Sequence, residues 1–269
     1  MYASAQTSSE FSFTVALGIL TNTNTQTSLT RRIIVLSISS VPLSNQLLAA
    51  LPMIDRLHML EASISVDLEF SEVLAERGEK IRYVYFPVGS FISLVEASDN
   101  ETRIEVGMVG DEGMLGSSLI LGIDVSPFHA LVQGAGPALR MKAATFRKEL
   151  ARSAGLERSL KRYLYVVMGQ LAQTAACTRF HLLEARLARW LLMTEDRAHG
   201  ERFHVTHVFL AFMLGVRRVG ITKAATSLQK QGLISYSRGN VTIVNRAGLE
   251  KVSCSCYQLD KKAYTAIMK

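Results

Sequence analysis

The spacing of hydrophobic positions divides the chain into three successive patterns. From Val66 to about Met141, short runs rich in β-branched and aromatic residues alternate with turn signals, which predicts a roll or barrel of many short strands. Before this region, residues 43–60 predict one or two short helices. After it, apolar positions recur at helical spacing from about Thr145. The sequence therefore predicts an α+β fold, with a jelly-roll-like β-roll followed by helices.

The last quarter of the chain has the pattern of a helix-turn-helix unit followed by a hairpin. Thr206 is the predicted N-cap of a first helix over residues 207–214. Gly215 follows it, where a helix end needs a residue at positive φ. A second helix is predicted from residue 217 or 218 to residue 230, with an apolar inward stripe. The tight-turn pair Gly239-Asn240 then predicts a two-stranded wing.

The outward face of the second helix suits the reading of duplex DNA. Arginine can present a bidentate fork to guanine, and a valine or threonine methyl group can contact thymine. The residues predicted to form the DNA-binding surface are Thr206, Arg217, Arg218, Val219, Thr222, Lys223, Thr226, Lys230 and Arg238. Of these, Lys230 and Arg238 are expected to meet phosphates, which position the protein without specifying sequence. The alternative is that the arginine pair only solvates the start of a helix.

Positive charge is concentrated in the same segment. Residues 201–269 hold 11 Lys and Arg against 3 Asp and Glu, whereas residues 1–200 hold 19 against 20. The formal net charge of +7 is therefore carried by the C-terminal segment. Such a segment attracts a polyanion through counterion release. The alternative, a solvated lysine-rich surface, is disfavoured because the charge coincides with the helix-turn-helix pattern.

A helix predicted from about Leu156 to Cys177 carries apolar residues at alternating steps of four and three. The residues of this stripe are Leu160, Leu164, Val167 and Leu171. The spacing is typical of a coiled-coil seam. The stripe could pack on the β-roll of its own chain. A dimer seam is preferred, because a DNA-binding protein of this kind gains by presenting two DNA-binding units.

Composition limits the compartment and the partners. No apolar run approaches the roughly 20 residues that span a bilayer, so no membrane partner is predicted. Three cysteines, Cys177, Cys254 and Cys256, cannot all pair within one chain, so a reduced, cytoplasmic setting is expected. Residues 1–42 are expected to be a poorly ordered extension. A strand or helix through Arg31–Ile38 is the alternative.

Residues 45–265 resemble the Crp/Fnr-type family of bacterial transcription regulators. The resemblance rests on MLGVRR, the LQKQGLI helix end, SRGNVTIVNR and the CSCY at 254–257. It implies a sensor β-roll of the cyclic-nucleotide-binding type over residues 43–150, a dimerisation helix over 151–181 and a winged helix-turn-helix domain over 182–269. It also implies a sequence-specific regulator without enzymatic activity that binds double-stranded DNA as a homodimer. RNA polymerase and an unidentified small effector are the further partners implied.

The expected effector cassette departs from that of cyclic-nucleotide binders. The resemblance implies Gly-Glu for the ribose and Pro-Arg-Ser/Thr-Ala for the phosphate, but the matching places hold Gly116-Ser117 and Pro127-Phe128-His129-Ala130. Without the arginine, a buried phosphate lacks its charge partner. We therefore expect weak or no binding of cyclic AMP or cyclic GMP. For His129, a surface or structural role is preferred to contact with some other anion. Val219 stands where readers of a TGTGA-type half-site have glutamate, so a different half-site is expected.

Other chemistries fit the sequence less well. An iron–sulfur sensor needs four cysteine ligands, and the chain has three. Cys254 and Cys256 with His204 or His207 lack a second ligand pair at zinc-finger spacing, so no metal and no cofactor are predicted. Buried inert thiols are preferred to a redox-sensitive pair. The sequence also lacks the nucleophile-elbow, Walker and dinucleotide-binding motifs. The remaining alternative is a non-catalytic sensor or scaffold whose winged helix contacts protein rather than DNA.

Overall fold

The computed structural model describes residues 45–97, 103–200 and 202–268. The N-terminal extension predicted for residues 1–42 and the alternative element through Arg31–Ile38 lie outside the described residues. Within the described ranges, the chain has the predicted α+β order: two short helices, a β-roll, a long helix and a winged helix.

Two short helices precede the β-roll, as predicted for residues 43–60. They are α1 (Gln46–Ala49) and α2 (Met53–Glu61). Asn45 caps α1, because its Oδ1 accepts a hydrogen bond from the backbone N–H of Leu48 at 3.0 Å. The Nδ2 of the same side chain donates to the carbonyl oxygens of Pro87 and Gly113, at 2.9 and 3.0 Å. One buried asparagine therefore fixes the start of α1 to the roll.

Seven antiparallel strands form two sheets of the β-roll. They are β1 (Ile64–Leu68), β2 (Val73–Ala75), β3 (Tyr83–Pro87), β4 (Phe91–Ala97), β5 (Arg103–Val109), β6 (His129–Gly134) and β7 (Gly136–Lys142). One sheet has the order β1-β7-β3 and the other β2-β6-β4-β5. Leu68 of the first sheet packs with Ile92 and Val132 of the second in one buried cluster. The roll predicted from Val66 to Met141 is thereby confirmed.

Two helices follow the roll and cover one side of it. They are α3 (Ala143–Arg152) and α4 (Ala154–Phe180). Ser153 caps α4, because its Oγ accepts a hydrogen bond from the backbone N–H of Leu156 at 3.1 Å. Tyr163 of α4 is buried against the roll, and its hydroxyl accepts a hydrogen bond from the backbone N–H of Met114 at 3.1 Å. This contact holds α4 beside the loop that follows β5.

The four residues predicted as an intermolecular seam face the roll of their own chain. Leu160 is fully buried there, and Leu164 and Val167 pack against the same core. Leu171 lies beside Gly107 of β5. The assignment of Leu160 to a dimer seam is therefore wrong, because its side chain has no exposed surface in a single chain. Apolar residues at alternating steps of four and three form one face of a helix, and that face can pack on a sheet as well as on another helix.

The winged helix contains the predicted helices and hairpin together with a further strand. Its elements are α5 (Leu183–Ala198), β8 (Arg202–His204), α6 (His207–Met213), α7 (Arg218–Lys230), β9 (Ile234–Ser237), β10 (Asn240–Ile243) and α8 (Arg246–Val252). The limits of α6 and α7 agree with the prediction to within one residue. β8, which the sequence did not predict, extends the hairpin to a three-stranded sheet of order β8-β10-β9.

The last turn of α5, residues 195–198, is polar and carries three charged residues. α5 continues to Ala198 because its charged residues have partners. Glu195 and Asp196 pair with Arg246 of α8. Arg197 pairs with Glu112, which follows β5, at 2.6 Å. These ion pairs are long-range contacts that join the end of α5 to α8 and to the residues after β5.

The last helix, α9 (Cys256–Met268), lies along α4. The hydroxyl of Tyr264 donates a hydrogen bond to the carbonyl oxygen of Glu112 at 2.8 Å. Met268 packs against the core shared by α4 and the roll. The segment assigned from sequence to the winged-helix domain, residues 182–269, thus ends in a helix that contacts the rest of the chain.

Candidate nucleic-acid interface

Packing between α6 and α7 holds the predicted reading helix in place. Exposed Thr206 caps α6, with its Oγ1 accepting a hydrogen bond from the backbone N–H of Phe209 at 3.1 Å. Leu210 and Met213 of α6 are buried in one cluster with the inward residues of α7. Those inward residues are Ile221, Ala224, Ala225 and Leu228. The two alanines allow the helices to approach closely, so the outward face of α7 rests on a rigid base.

The turn between α6 and α7 is fixed by backbone and side-chain contacts. Gly215 has φ 62°, in the left-handed region that favours glycine. The backbone N–H of Val216 donates to the carbonyl oxygen of Ala211 at 2.9 Å. Arg186 of α5 donates from Nη2 to the carbonyl oxygen of Leu214 at 2.6 Å. These bonds set the direction in which α7 begins.

The outer face of α7 is exposed and basic. The predicted DNA-contacting residues on and beside this helix are all exposed: Arg217, Arg218, Val219, Thr222, Lys223, Thr226 and Lys230. Arg217 is the N-cap residue, and the first turn of α7 contains no acidic residue. The helix dipole adds partial positive charge at the end where Arg217 and Arg218 stand. This end of α7 therefore attracts phosphates and other anions.

Thr222 differs from its neighbours because its hydroxyl is engaged within the protein. Its Oγ1 donates to the carbonyl oxygen of Arg218 and lies 3.1 Å from Nδ1 of His207. The His207 ring stacks on Tyr236 of β9, with 4.5 Å between ring centroids. Burial, together with the nearby charge of Arg218, lowers the pKa of His207. The imidazole of His207 thus links α6, α7 and the wing.

The tip of the wing presents the predicted phosphate contact. Arg238 is exposed between β9 and β10 and has φ 50°. Gly239 follows at φ 83°, and a Cβ atom there would lie 2.6 Å from Cε1 of His204. Glycine at this position therefore lets β8 lie close to the turn that carries Arg238.

The β-roll holds a cavity of about 130 Å³ at the predicted effector cassette. Gly116, Ser117 and Phe128 line it. His129 is not part of its lining, and its Nδ1 lies 2.7 Å from Oε2 of Glu76. Pockets that hold drug-sized ligands are typically about 300–1,000 Å³. This cavity is small beside them.

Three cysteines and one histidine meet at the end of α4. The Sγ atoms of Cys177 and Cys254 lie 3.5 Å apart, and the Sγ of Cys256 lies 3.4 Å from Nδ1 of His181. All four ligand atoms lie within 4.8 Å of one another. Sulfur and imidazole nitrogen are the usual ligands of Zn²⁺, so these residues could hold a metal ion.

The histidines considered as zinc ligands from the sequence lie elsewhere. His204 is in β8 beside Asn240, and His207 stacks on Tyr236. The signal that could have identified the cluster was the four-residue spacing of Cys177 and His181, which brings two side chains to one side of a helix end.

The comparisons with known proteins identify the helix-turn-helix domain and the fold. Residues 185–252, from α5 to α8, match the family model of the Crp-like helix-turn-helix domain. The solved structure of a protein of the Crp/Fnr family from Eubacterium rectale is similar over 78% of this chain and 97% of its own, with 18% identity and a TM-score of 0.60. The chain has the Crp/Fnr fold and a Crp-like helix-turn-helix domain. The resemblance carried by the sequence motifs is thereby confirmed.

Two further solved structures are similar at the same level. A CRP-family transcriptional regulator from Thermus thermophilus shares 20% identity over 70% of this chain and 96% of its own, with a TM-score of 0.59. FixK2 from Bradyrhizobium japonicum shares 16% identity over 71% and 98%, with a TM-score of 0.55. No curated protein matches the chain. Among the described residues, no helix combines the length and the apolar character needed to cross a membrane.

Proposed function

We propose that this Crp/Fnr-type protein is a sequence-specific transcriptional regulator that binds double-stranded DNA through α7 and the wing. The observation that carries the proposal is the exposed basic face of α7 within a Crp-like helix-turn-helix domain. In helix-turn-helix proteins the N-terminal residues of the second helix contact base edges in the major groove. Arg217, Arg218, Val219 and Lys223 occupy those turns here.

The alternative is a sensor or scaffold whose winged helix contacts another protein. The concentration of positive charge favours DNA, because residues 201–269 hold 11 Lys and Arg against 3 Asp and Glu. A protein-contacting surface is typically depleted of charge at its centre. The outer face of α7 instead has basic residues along its length.

A salt titration of duplex binding separates the two functions. Fragments selected from genomic DNA by the full-length protein are labelled, and binding is followed by fluorescence anisotropy at increasing salt. For DNA binding, log affinity should fall linearly with log salt, with a slope of about −0.9 for each phosphate neutralised. Random duplexes should bind with a similar slope but much lower affinity. Absence of measurable duplex binding at about 50 mM salt would contradict the proposal.

We further propose that the regulator is a homodimer that pairs through the outer face of α4. Tyr165 and Met168 on this face are 66% and 62% exposed, and Ala172 continues the exposed stripe one turn later. α9 covers a neighbouring side of the helix and the roll covers the inner side. Two parallel α4 helices would present two reading helices to half-sites about 34 Å apart.

Sedimentation measures this pairing directly. Met168→Glu should give a monomer at micromolar concentration, because it places a charge in the proposed interface. Met53→Glu is the matched control, since Met53 of α2 is 68% exposed and lies outside the face. A wild-type monomer, or equal behaviour of the two variants, would refute pairing through α4.

We also propose that the roll cavity does not take cyclic AMP or cyclic GMP. Phe128 and Ser117 stand where the resemblance implies an arginine and a glutamate, and the cavity volume is only about 130 Å³. Calorimetric titration with cyclic AMP, cyclic GMP and cyclic di-GMP tests this. The last is included because the structurally similar CLP of Xanthomonas campestris is described as c-di-GMP responsive. Tight binding of cyclic AMP or cyclic GMP would overturn the proposal.

A further inference from the structure

The cluster of Cys177, His181, Cys254 and Cys256 is assembled from two distant parts of the chain. Cys177 lies in the last turn of α4, and His181 is the C-cap residue of the same helix. Cys254 precedes α9, and Cys256 is the first residue of that helix. All three thiols are buried and none is in a disulfide. The cluster is separate from the DNA-contacting face of α7 and from the cavity of the roll.

We propose that these four side chains form a tetrahedral zinc site with three thiolates and one imidazole. With Zn–S of about 2.3 Å and Zn–N of about 2.0–2.1 Å, a tetrahedral ion separates its ligand atoms by about 3.5–3.8 Å. The Cys177–Cys254 distance of 3.5 Å and the Cys256–His181 distance of 3.4 Å are close to that range. The four atoms all lie within 4.8 Å of one another, which small side-chain rotations bring to bonding geometry.

Neighbouring groups complete the charge balance and the hydrogen bonds of such a site. Three thiolates and one Zn²⁺ carry a net charge of about −1. Arg186 of α5 lies beside Cys177 and supplies positive charge, whereas the charge of Arg189 is paired with Asp260 at 2.8 Å. Gln173 donates a hydrogen bond from Nε2 to the Sγ of Cys256 at 2.9 Å, and such contacts to a ligand orient it.

A single ion fits the cluster better than the other chemistries of cysteine. An iron–sulfur cluster needs room for its inorganic core between the thiolates. Two of the sulfurs here are only 3.5 Å apart. A disulfide between Cys177 and Cys254 would leave Cys256 and His181 in contact without a role. Only a metal ion uses all four groups.

The position of the site indicates what the ion would do. Cys177 and His181 stand just before the Crp-like domain of residues 185–252, and Cys254 and Cys256 follow it. One ion would therefore tie together the two ends of the DNA-binding domain and fasten α9 to α4. The ion is structural, since all four of its positions are filled by protein ligands.

Metal content and metal uptake of the full-length protein test the site. The untagged protein is purified under reducing conditions without chelator, and zinc is measured by plasma mass spectrometry. About one Zn²⁺ per chain is expected. Metal-free protein titrated with Co²⁺ should develop the visible bands of a tetrahedral ion and the charge-transfer band of thiolate ligands. Chelation should lower Tm by more than about 5 °C.

Substitution of the proposed ligands tests which residues bind the metal ion. Loss of a residue that hydrogen-bonds to a metal ligand typically weakens metal binding by about 10–100-fold. Cys256→Ser and His181→Ala remove ligands themselves, so each should weaken Zn²⁺ binding by more than that. Gln173→Leu should weaken it by about tenfold. Ser255→Ala is the matched control, because Ser255 is exposed between two proposed ligands.

Three results would overturn the site. The first is that reduced wild-type protein takes up neither Zn²⁺ nor Co²⁺. This measurement does not depend on whether the variants fold. Another is undiminished uptake by both ligand variants. The third is zinc-free protein with a Cys177–Cys254 disulfide, which would assign the cluster to thiol redox chemistry. None of these results depends on DNA binding, so the site and the proposed regulator function fail separately.

Discussion

Arg218 and Thr222 stand one turn apart on α7 but differ in what each can offer to DNA. The Thr222 hydroxyl is shared between the carbonyl oxygen of Arg218 and the ring of His207, so it positions the helix as well as facing outward. The Arg218 side chain is exposed. Helical periodicity was enough to predict that both residues face outward. It could not predict the His207–Tyr236 stack, because the wing brings Tyr236 to α6 from 29 residues further along the chain.

Arg218→Ala should weaken binding to the selected duplex much more than binding to random duplex. A bidentate arginine–guanine contact contributes about 1–3 kcal/mol of base discrimination, whereas a phosphate contact contributes equally on every sequence. Anisotropy titrations with both duplexes measure the two losses. Lys251→Ala is the control, because Lys251 is exposed in the last turn of α8, away from α7. Equal losses on both duplexes would identify Arg218 as a phosphate contact.

The elements of the winged helix could be predicted where local signals define their ends. Thr206 and Gly215 gave the limits of α6, and Gly239-Asn240 predicted the hairpin, whose two-residue turn lies one position earlier, at Arg238-Gly239. β8 has only three residues, and its strand pairing with β10 is made across 36 residues of chain. The stripe on α4 was predicted correctly as apolar, but periodicity does not say whether a sheet or a second helix covers it. Burial of Leu160 against the roll decided that question.

Arg238→Ala on the wing should change the salt dependence of DNA binding and not base discrimination, which is the opposite of the effect expected for Arg218→Ala. The turn at Arg238 and Gly239 is a two-residue tip, and we expect its arginine to meet a phosphate. Loss of one such contact should reduce the slope of log affinity against log salt by about 1 and leave base discrimination unchanged. Salt titrations on selected and random duplexes check both quantities. Altered discrimination with an unchanged slope would show instead that the wing reads bases.

At the scale of the whole molecule, the β-roll and the DNA-binding domain meet along β5. Ile104 lies against Gly215 in the turn before α7, with 3.2 Å between its Cδ1 and the position a Cβ would take there. Arg103 lies over the ring of Phe212 in α6, 5.7 Å from its centroid. One strand of the roll therefore contacts both α6 and the turn before α7. The sequence predicted the two units but not this contact, which depends on how they pack.

The cysteine cluster also depends on contacts between distant parts of the chain. Cys254 and Cys256 have the spacing of a ligand pair, and so do Cys177 and His181 on a helix, but about 75 residues separate the pairs. Spacing within a short window identifies each half alone. Only the packing of α9 along α4 brings the halves together.

Glu105 of β5 is a buried acid between the roll and the DNA-binding domain. Its Oε1 accepts a hydrogen bond from Nε1 of Trp190 in α5 at 3.0 Å, and its Oε2 lies 2.6 Å from Oγ of Ser93. Burial raises the pKa of Glu105 to about 7, against the opposing effects of Ser93, Arg197, Trp190 and Arg189. The carboxyl group therefore titrates near neutral pH, at the contact between the two units.

The direction of the pH effect follows from the raised pKa. Between the unfolded value of about 4.3 and the folded value, the native state holds a proton that the unfolded state has lost. The contribution of Glu105 to stability is therefore lost as pH rises from about 4 through about 7. Glu105→Gln keeps an acceptor for Trp190 without a titrating group, so its stability should depend less on pH in that window.

Fluorescence of Trp190, the one tryptophan of the chain, reports this titration directly. In the wild type the emission should change with pH around a midpoint near 7, because the charge next to the indole N–H changes. In Glu105→Gln that transition should disappear. Thr265→Val, an exposed change on α9, is the control and should keep it. If the wild-type emission were constant from about pH 5.5 to 8.5, Glu105 would not ionise at this contact, and proton uptake could not act on the junction between roll and DNA-binding domain.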